Sequence, residues 1–135
     1  MSDTLHESNS AVAELVFHCG VAVNMQYGAH LSLASNPKAL AALRQNFFYP
    51  SAKLLQRANC DDEEWMNLIV SDLGNGYPVY YAGVSDLGGH AFVCDGYDDN
   101  GMFHFNFGWD GVADGYYTLN APYGFSERQA IIYNI

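Results

Sequence analysis

Apolar and polar positions follow two different periods along this chain. Over about the first 75 residues the apolar positions recur every three or four places, as on one face of a helix. Val12, Leu15, Val16 and Cys19 keep that spacing behind Ser8 or Ser10, either of which can cap the start, and Gly20 supplies a stop. Residues 21–36 hold many turn formers and no clear period, which predicts an irregular loop. A second helix follows, with Asn36 at the N-cap, Pro37 in the first turn and Leu40, Leu43 and Phe47 on one stripe. A third opens on the acidic run 61–64, which the helix dipole favours. It buries Trp65, Leu68, Ile69 and Leu73 and ends at Gly74.

Beyond residue 76 the pattern changes. Residues 77–84, 90–97, 102–109, 115–120 and 129–135 are short aromatic or β-branched runs separated by Gly, Asp and Asn. These read as consecutive strands joined by tight turns, with Asp-Asp-Asn-Gly at 98–101 as the clearest hairpin. Helices first and strands afterwards predict an α+β domain. With 99–101 as a three-residue turn, Asp98 faces Met102, and Asn106 falls opposite Cys94 on the same face as His90. His104, between Phe103 and Phe105, faces away from both and reads as a surface residue.

Composition narrows the partners. At 135 residues the chain is one domain, and half its residues are apolar, enough for a core. Fifteen acidic residues against five basic ones give a net charge of −10. That balance argues against nucleic acid and against an anionic membrane surface, both of which need clustered Lys and Arg. No apolar run is long enough to span a membrane, and 1–10 is polar without the basic start of an export signal. Disorder is expected over 1–10. Cys19, Cys60 and Cys94 show neither a disulfide framework nor zinc spacing. The adjacent pair His18 and Cys19 lacks a third ligand, and Asp95, Asp98, Asp99 and Asp110 lack the spacing of a calcium loop. No metal and no cofactor are expected.

The candidate chemistry centres on His90. Gly88 and Gly89 precede it, so that a backbone or a substrate can approach closely. Asn106, Phe107 and Trp109 follow at the end of the next strand. Cysteine-nucleophile catalysis uses such a set. An imidazole converts a weakly ionised thiol to thiolate, an amide oxygen fixes the ring's tautomer, and an aromatic wall keeps water off the contact. Four residues along a strand is about 13 Å, so the flat register does not close a His90–Asn106 bond, and the strands must coil or bulge.

Residues 88–119, with Gly-Gly-His-Ala-Phe-Val, Asp95-Gly96, Asn106-Phe107-Gly108-Trp109 and Asp-Gly-Tyr-Tyr-Thr-Leu, resemble the His-to-Asn segment of papain-like cysteine peptidases, nearest the streptopain family. The resemblance extends back to about Ala11. It implies a papain-like half-domain: helices packed on a coiled antiparallel sheet, the whole of 1–135 being the C-terminal portion of a peptidase domain. It implies His90 as catalytic base and Asn106 as its orienting amide, with Trp109, Phe107 and Gly89 in the active-site wall. Phe107 departs from the tryptophan expected after the Asn. The loop at 27–36 is similar to a cleft wall, and a plain connector is the other reading. A peptide or protein substrate and a secreted location also follow from the resemblance.

The nucleophile is the missing part. In papain-like enzymes it lies about 130–150 residues before the base, and only 89 residues precede His90. Cys94 is four residues from His90 on one strand, Cys19 sits at a helix C-terminus, and Cys60 is followed by four carboxylates. None suits a thiolate paired with His90. The cysteine is therefore expected upstream or on a second chain, and the apolar face left by a missing helical part is expected to pair with it. The alternative is a catalytically silent peptide-binding or inhibitory module.

Overall fold

The computed structural model describes residues 9–135, so most of the 1–10 segment lies outside the described residues. Asn9 and Ser10, the end of that segment, already start a helix. The first helix, α1, runs Ser10–Ala22, and Asn9 rather than either serine caps it, its side chain accepting from Val12 N at 3.1 Å. Gly20 does not stop the helix. It is buried because Tyr27 lies against it, and a Cβ there would meet the Tyr27 hydroxyl at 1.9 Å. The expected apolar stripe is not covered: Leu15, Val16 and Cys19 are exposed and Val12 is half-buried, and Phe17 and Val21 beside it are exposed too.

The second helix, α2, spans Asn36–Asn46, with Ser35 at the N-cap position and no side-chain cap. Asn36 has another task, accepting a 2.8 Å hydrogen bond from Tyr80 Oη and so tying α2 to the sheet. Burial lifts the Tyr80 phenol to about 12. The third helix, α3, spans Asp62–Gly74 and is capped by Asp61, whose carboxylate accepts from Glu64 N at 2.8 Å. Trp65 and Ile69 form its buried face as expected, with Leu68 and Leu73 at the margin. Asp72, also buried, accepts from Asn134 N at 2.6 Å and ties down the C-terminal end.

Six strands among the described residues form one antiparallel sheet. They are β1 (Lys53–Gln56), β2 (Val79–Ser85), β3 (Gly88–Tyr97), β4 (Phe103–Asn106), β5 (Gly115–Tyr117) and β6 (Glu127–Tyr133), in the spatial order β1-β6-β2-β3-β4-β5. Short β1 has no counterpart in the sequence reading; its Lys-Leu-Leu-Gln has no alternation to mark it. Trp65 and Ile69 pack on Val79, Tyr81, Phe92, Cys94, Phe103, Phe105, Phe107, Phe125 and Ile131 to make the core. The architecture is α+β, as the two periods predict.

The 98–101 hairpin forms as expected. Asp98 Oδ1 accepts from Asn100 N at 2.9 Å and Met102 N at 2.8 Å, and Gly101 takes φ +77°. The Met102 amide, then the Asn100 side chain, hold the Asp98 carboxyl below its usual range. Past this turn the register departs from the regular ladder. Gly96 faces His104, but Cys94 faces Phe105 and Val93 faces Asn106, leaving Asp95 as the extra residue of a β-bulge. The cause is parity. Phe92 and Cys94 on β3 and Phe103 and Phe105 on β4 must all face the core, and a regular ladder would turn both phenylalanines outward. On the outer face the bulge sets the Asp95 carboxylate 2.5 Å from His104 Nδ1, so His104 sits at the surface in a pair with Asp95.

Candidate active site

His90 lies on β3 opposite Gly83 of β2. Gly83 has a packing reason to be glycine: a Cβ there would meet Phe125 Cβ at 3.0 Å and Phe125 O at 3.2 Å. Phe125 can therefore press against the strand beside His90, their rings 5.7 Å apart. The segment carrying Phe125 is held from beneath by Gln129, which is buried. Its two Nε2 protons are shared among the carbonyls of Leu119 (2.9 Å), Asn120 (3.1 Å) and Phe125 (2.8 Å). A bulge in β6, with Arg128 at φ +47°, brings Gln129 to this position.

The His90 ring is half-buried among aromatic rings. Trp109 stacks on it at 4.6 Å and 21°, and Phe92 lies at 5.8 Å. Trp109 is in turn backed by Phe107 and Tyr123. His90 Nε2 is 2.8 Å from the carbonyl oxygen of Phe107. A carbonyl only accepts, so Nε2 carries the proton and the neutral ring keeps its lone pair on Nδ1. The site thus holds an imidazole in one tautomer, under an indole, with one nitrogen available as a base.

The bulge separates the two residues expected to touch. Asn106 faces outward opposite Val93, and its Oδ1 accepts from Gly108 N at 2.8 Å. The structure therefore places no His90–Asn106 hydrogen bond. The Phe107 side chain is 1 % exposed and packs in the core beneath Trp109. What it offers the site is its main-chain carbonyl. Phe107 N is held by Asp114 Oδ1 at 2.8 Å. Trp109 lies over the His90 ring. Gly89 is exposed, and a Cβ there would meet nothing closer than Val84 Cγ2 at 3.9 Å, so the sheet face it shares with Val84, opposite the His90 ring, is open. Gly88 is needed for its φ of +101° rather than for a close approach. Beyond it lies a cleft of about 450 Å³ between Leu87 and Tyr123, with Asp86 and Glu127 at its sides.

The three cysteines take other places. Cys94 is fully buried, and burial, helped by the Asp95 carboxylate, pushes its thiol up to about 12. Cys60 is half-buried with its Sγ 3.7 Å from Arg57 O, and Cys19 is exposed on α1. No hydrogen bond joins any of them to His90 among the described residues. No helix among these residues is long and apolar enough to cross a membrane.

Sequence reasoning missed Gly83, Phe125, Gln129, Asp114 and the Phe107 carbonyl. A backbone oxygen leaves no trace in residue identity. The parity conflict across the 98–101 turn was the one readable signal that Asn106 would turn outward.

Known proteins resemble this chain in sequence and fold. Streptopain of Streptococcus pyogenes serotype M28 is 39% identical over 112 residues, covering 82% of this chain and 28% of streptopain. The thiol protease/hemagglutinin PrtT of Porphyromonas gingivalis is 38% identical over 115 residues, 84% of this chain and 13% of PrtT. Active wild-type interpain A of Prevotella intermedia, a cysteine protease, superposes with a TM-score of 0.91 at 38% identity, covering all of this chain and 62% of that structure. A prointerpain A fragment from the same organism gives 0.87. The chain thus spans less than a third of the curated relatives it matches. The sequence pattern of the peptidase C10 family matches residues 1–117, taking in His90, Asn106, Trp109 and Asp114, and the chain belongs to that family.

Proposed function

We propose that this chain carries the base-bearing half of a cysteine peptidase site and that His90 is its general base and acid. The supporting observation is the 2.8 Å bond from His90 Nε2 to the Phe107 carbonyl beneath stacked Trp109, which leaves Nδ1 as the proton acceptor. Nδ1 takes the proton of a cysteine thiol, forming a thiolate–imidazolium pair. The thiolate attacks the peptide carbonyl, and the imidazolium returns the proton to the leaving amine. Nδ1 then deprotonates the water that cleaves the acyl-enzyme. Trp109 excludes water from one ring face, so the Nε2 bond gains strength in a drier setting. Asn106 acts on the ring indirectly, through the peptide group that carries the Phe107 carbonyl.

The nucleophile in this reading comes from outside these 135 residues, since Cys94 is buried as a thiol and Cys19 and Cys60 lack contact with His90. The relatives carry the matching stretch within much longer chains, which favours a further segment of the same protein over a separate subunit. That segment would cover the exposed apolar face of α1. The substrate is a peptide or protein, bound on the half-exposed side of the His90 ring. Family resemblance favours secretion, and fractionation of the producing cells with an antibody to this chain checks it.

The test is the longest reading frame that contains the chain, expressed with and without His90→Ala. Thiol-dependent proteolysis that disappears in the variant supports the proposal. Undiminished proteolysis in the variant, or peptide binding with no cleavage by the wild type, rejects it; the second result selects the silent binding module.

A further inference from the structure

A carbonyl can orient an imidazole only if its own peptide group is held, and at Phe107 the chain has already left the ladder of β4. Two side chains hold it. Gly108 N–H shares a peptide group with the Phe107 carbonyl, and it donates to Asn106 Oδ1 at 2.8 Å. His90 Nε2–H and Asn106 Oδ1 therefore bind opposite ends of one amide and polarise it in the same sense. The preceding amide is gripped by Asp114, whose Oδ1 accepts from Phe107 N–H at 2.8 Å. The loop that delivers Asp114 is built for the purpose. Asp110, Gly111 and Ala113 all take positive φ, and the Ala113 carbonyl accepts from Tyr117 Oη at 2.7 Å. Positive φ at a non-glycine residue such as Ala113 costs free energy, so the surrounding contacts must impose it.

We propose that Asp114 is a positioning residue of the site: its carboxylate fixes the Phe107 amide so that the Phe107 carbonyl holds His90 in the Nε2–H tautomer. The assignment of a catalytic purpose to that tautomer rests on the peptidase reading above, but the tautomer itself can be measured without any activity. Long-range ¹H–¹⁵N correlation on the neutral ring reports it directly.

In the wild-type chain one tautomer, Nε2–H, dominates, and the Phe107 amide exchanges with solvent far more slowly than its exposed loop neighbours. Asp114→Ala gives a mixture of both tautomers, and Asp114→Asn, which keeps an oxygen acceptor, restores the single form. In a proteolytically active longer protein, Asp114→Ala lowers kcat on the order of 10–100-fold with KM little changed, as expected when a reacting group is displaced without loss of the binding surface. A His90 spectrum unchanged in a folded Asp114→Ala chain overturns the proposal. If that variant does not fold, fast exchange at the Phe107 amide of the wild type overturns it equally. A longer protein that never cleaves peptides removes the peptidase reading and leaves the tautomer result standing.

Discussion

Replacing Gln129 by leucine tests whether one buried amide holds the segment that backs His90. The side chain is 4 % exposed and donates to three carbonyls. The three losses are unequal. Leu119 O keeps the 2.7 Å bond from Tyr81 Oη, and Asn120 is exposed, so water replaces its partner. Phe125 O is different: its residue is 1 % exposed and no other donor reaches it among the described residues. One buried acceptor left without a partner costs about 1–3 kcal/mol, and the other bonds contribute about 1 kcal/mol net. Leucine burial returns part of this, which leaves a destabilisation of about 2–3 kcal/mol. For 135 residues the unfolding entropy is about 0.3 kcal/mol per kelvin, so Tm falls by about 7–11 °C.

Urea unfolding followed by tryptophan fluorescence measures the change, Trp65 and Trp109 reporting the core and the site. A double-mutant cycle with Tyr81→Phe sharpens it. Each single variant leaves Leu119 O one donor, and the pair leaves none, so the double variant is worse than additive by about 1 kcal/mol. A Gln129→Leu chain within 0.5 kcal/mol of wild type, or a strictly additive cycle, refutes the reasoning.

Other outcomes follow from the same geometry. Trp109→Ala removes the stack on His90, worth about 0.5–1.5 kcal/mol, and lowers kcat/KM of an active longer protein about 2–12-fold; steady-state proteolysis measures it. Cys94 resists thiol-labelling reagents at neutral pH until the chain is denatured, whereas Cys19 labels in the folded state; mass spectrometry of the labelled peptides separates the two. The Cys94 thiol rises from 9.0 to about 12 on folding, so its contribution is complete below pH 9 and is lost as pH climbs toward 12, with Tyr80 adding to the loss above pH 10. Urea midpoints between pH 7 and 11 trace this, and Cys94→Val flattens the part that starts near pH 9. At the acid end, the lowered Asp98 carboxyl contributes stability above the ordinary aspartate range that is lost as pH falls through its depressed value; Asp98→Asn flattens that limb of an acid titration.

The reach of the sequence was set by what each feature is made of. The stripe Trp65–Ile69–Leu73 and the Asp98 turn are side-chain patterns, and both appear where the pattern puts them. β1 escaped notice because four residues cannot show a period and their partner, β6, is more than seventy positions away. The outward turn of Asn106 was legible in principle. A flat register demanded that Phe103 and Phe105 face water, and the chain resolves the conflict with an extra residue at Asp95. The contact to the ring follows from it: Asn106 was expected to touch His90, and the atom 2.8 Å from its Nε2 is the Phe107 carbonyl oxygen. The exposed stripe of α1 shows the opposite limit, since an amphipathic face states that something covers it without naming what.

The place of β6 in the sheet has a consequence for how the molecule comes into being. The strand lies between β1 and β2, hydrogen-bonded to both. Until β6 has been made, β1 has no neighbour and β2 has a bare edge. Its docking therefore joins the sheet, and a nascent chain in which β6 has not yet emerged carries two sticky borders where the folded one has a seam.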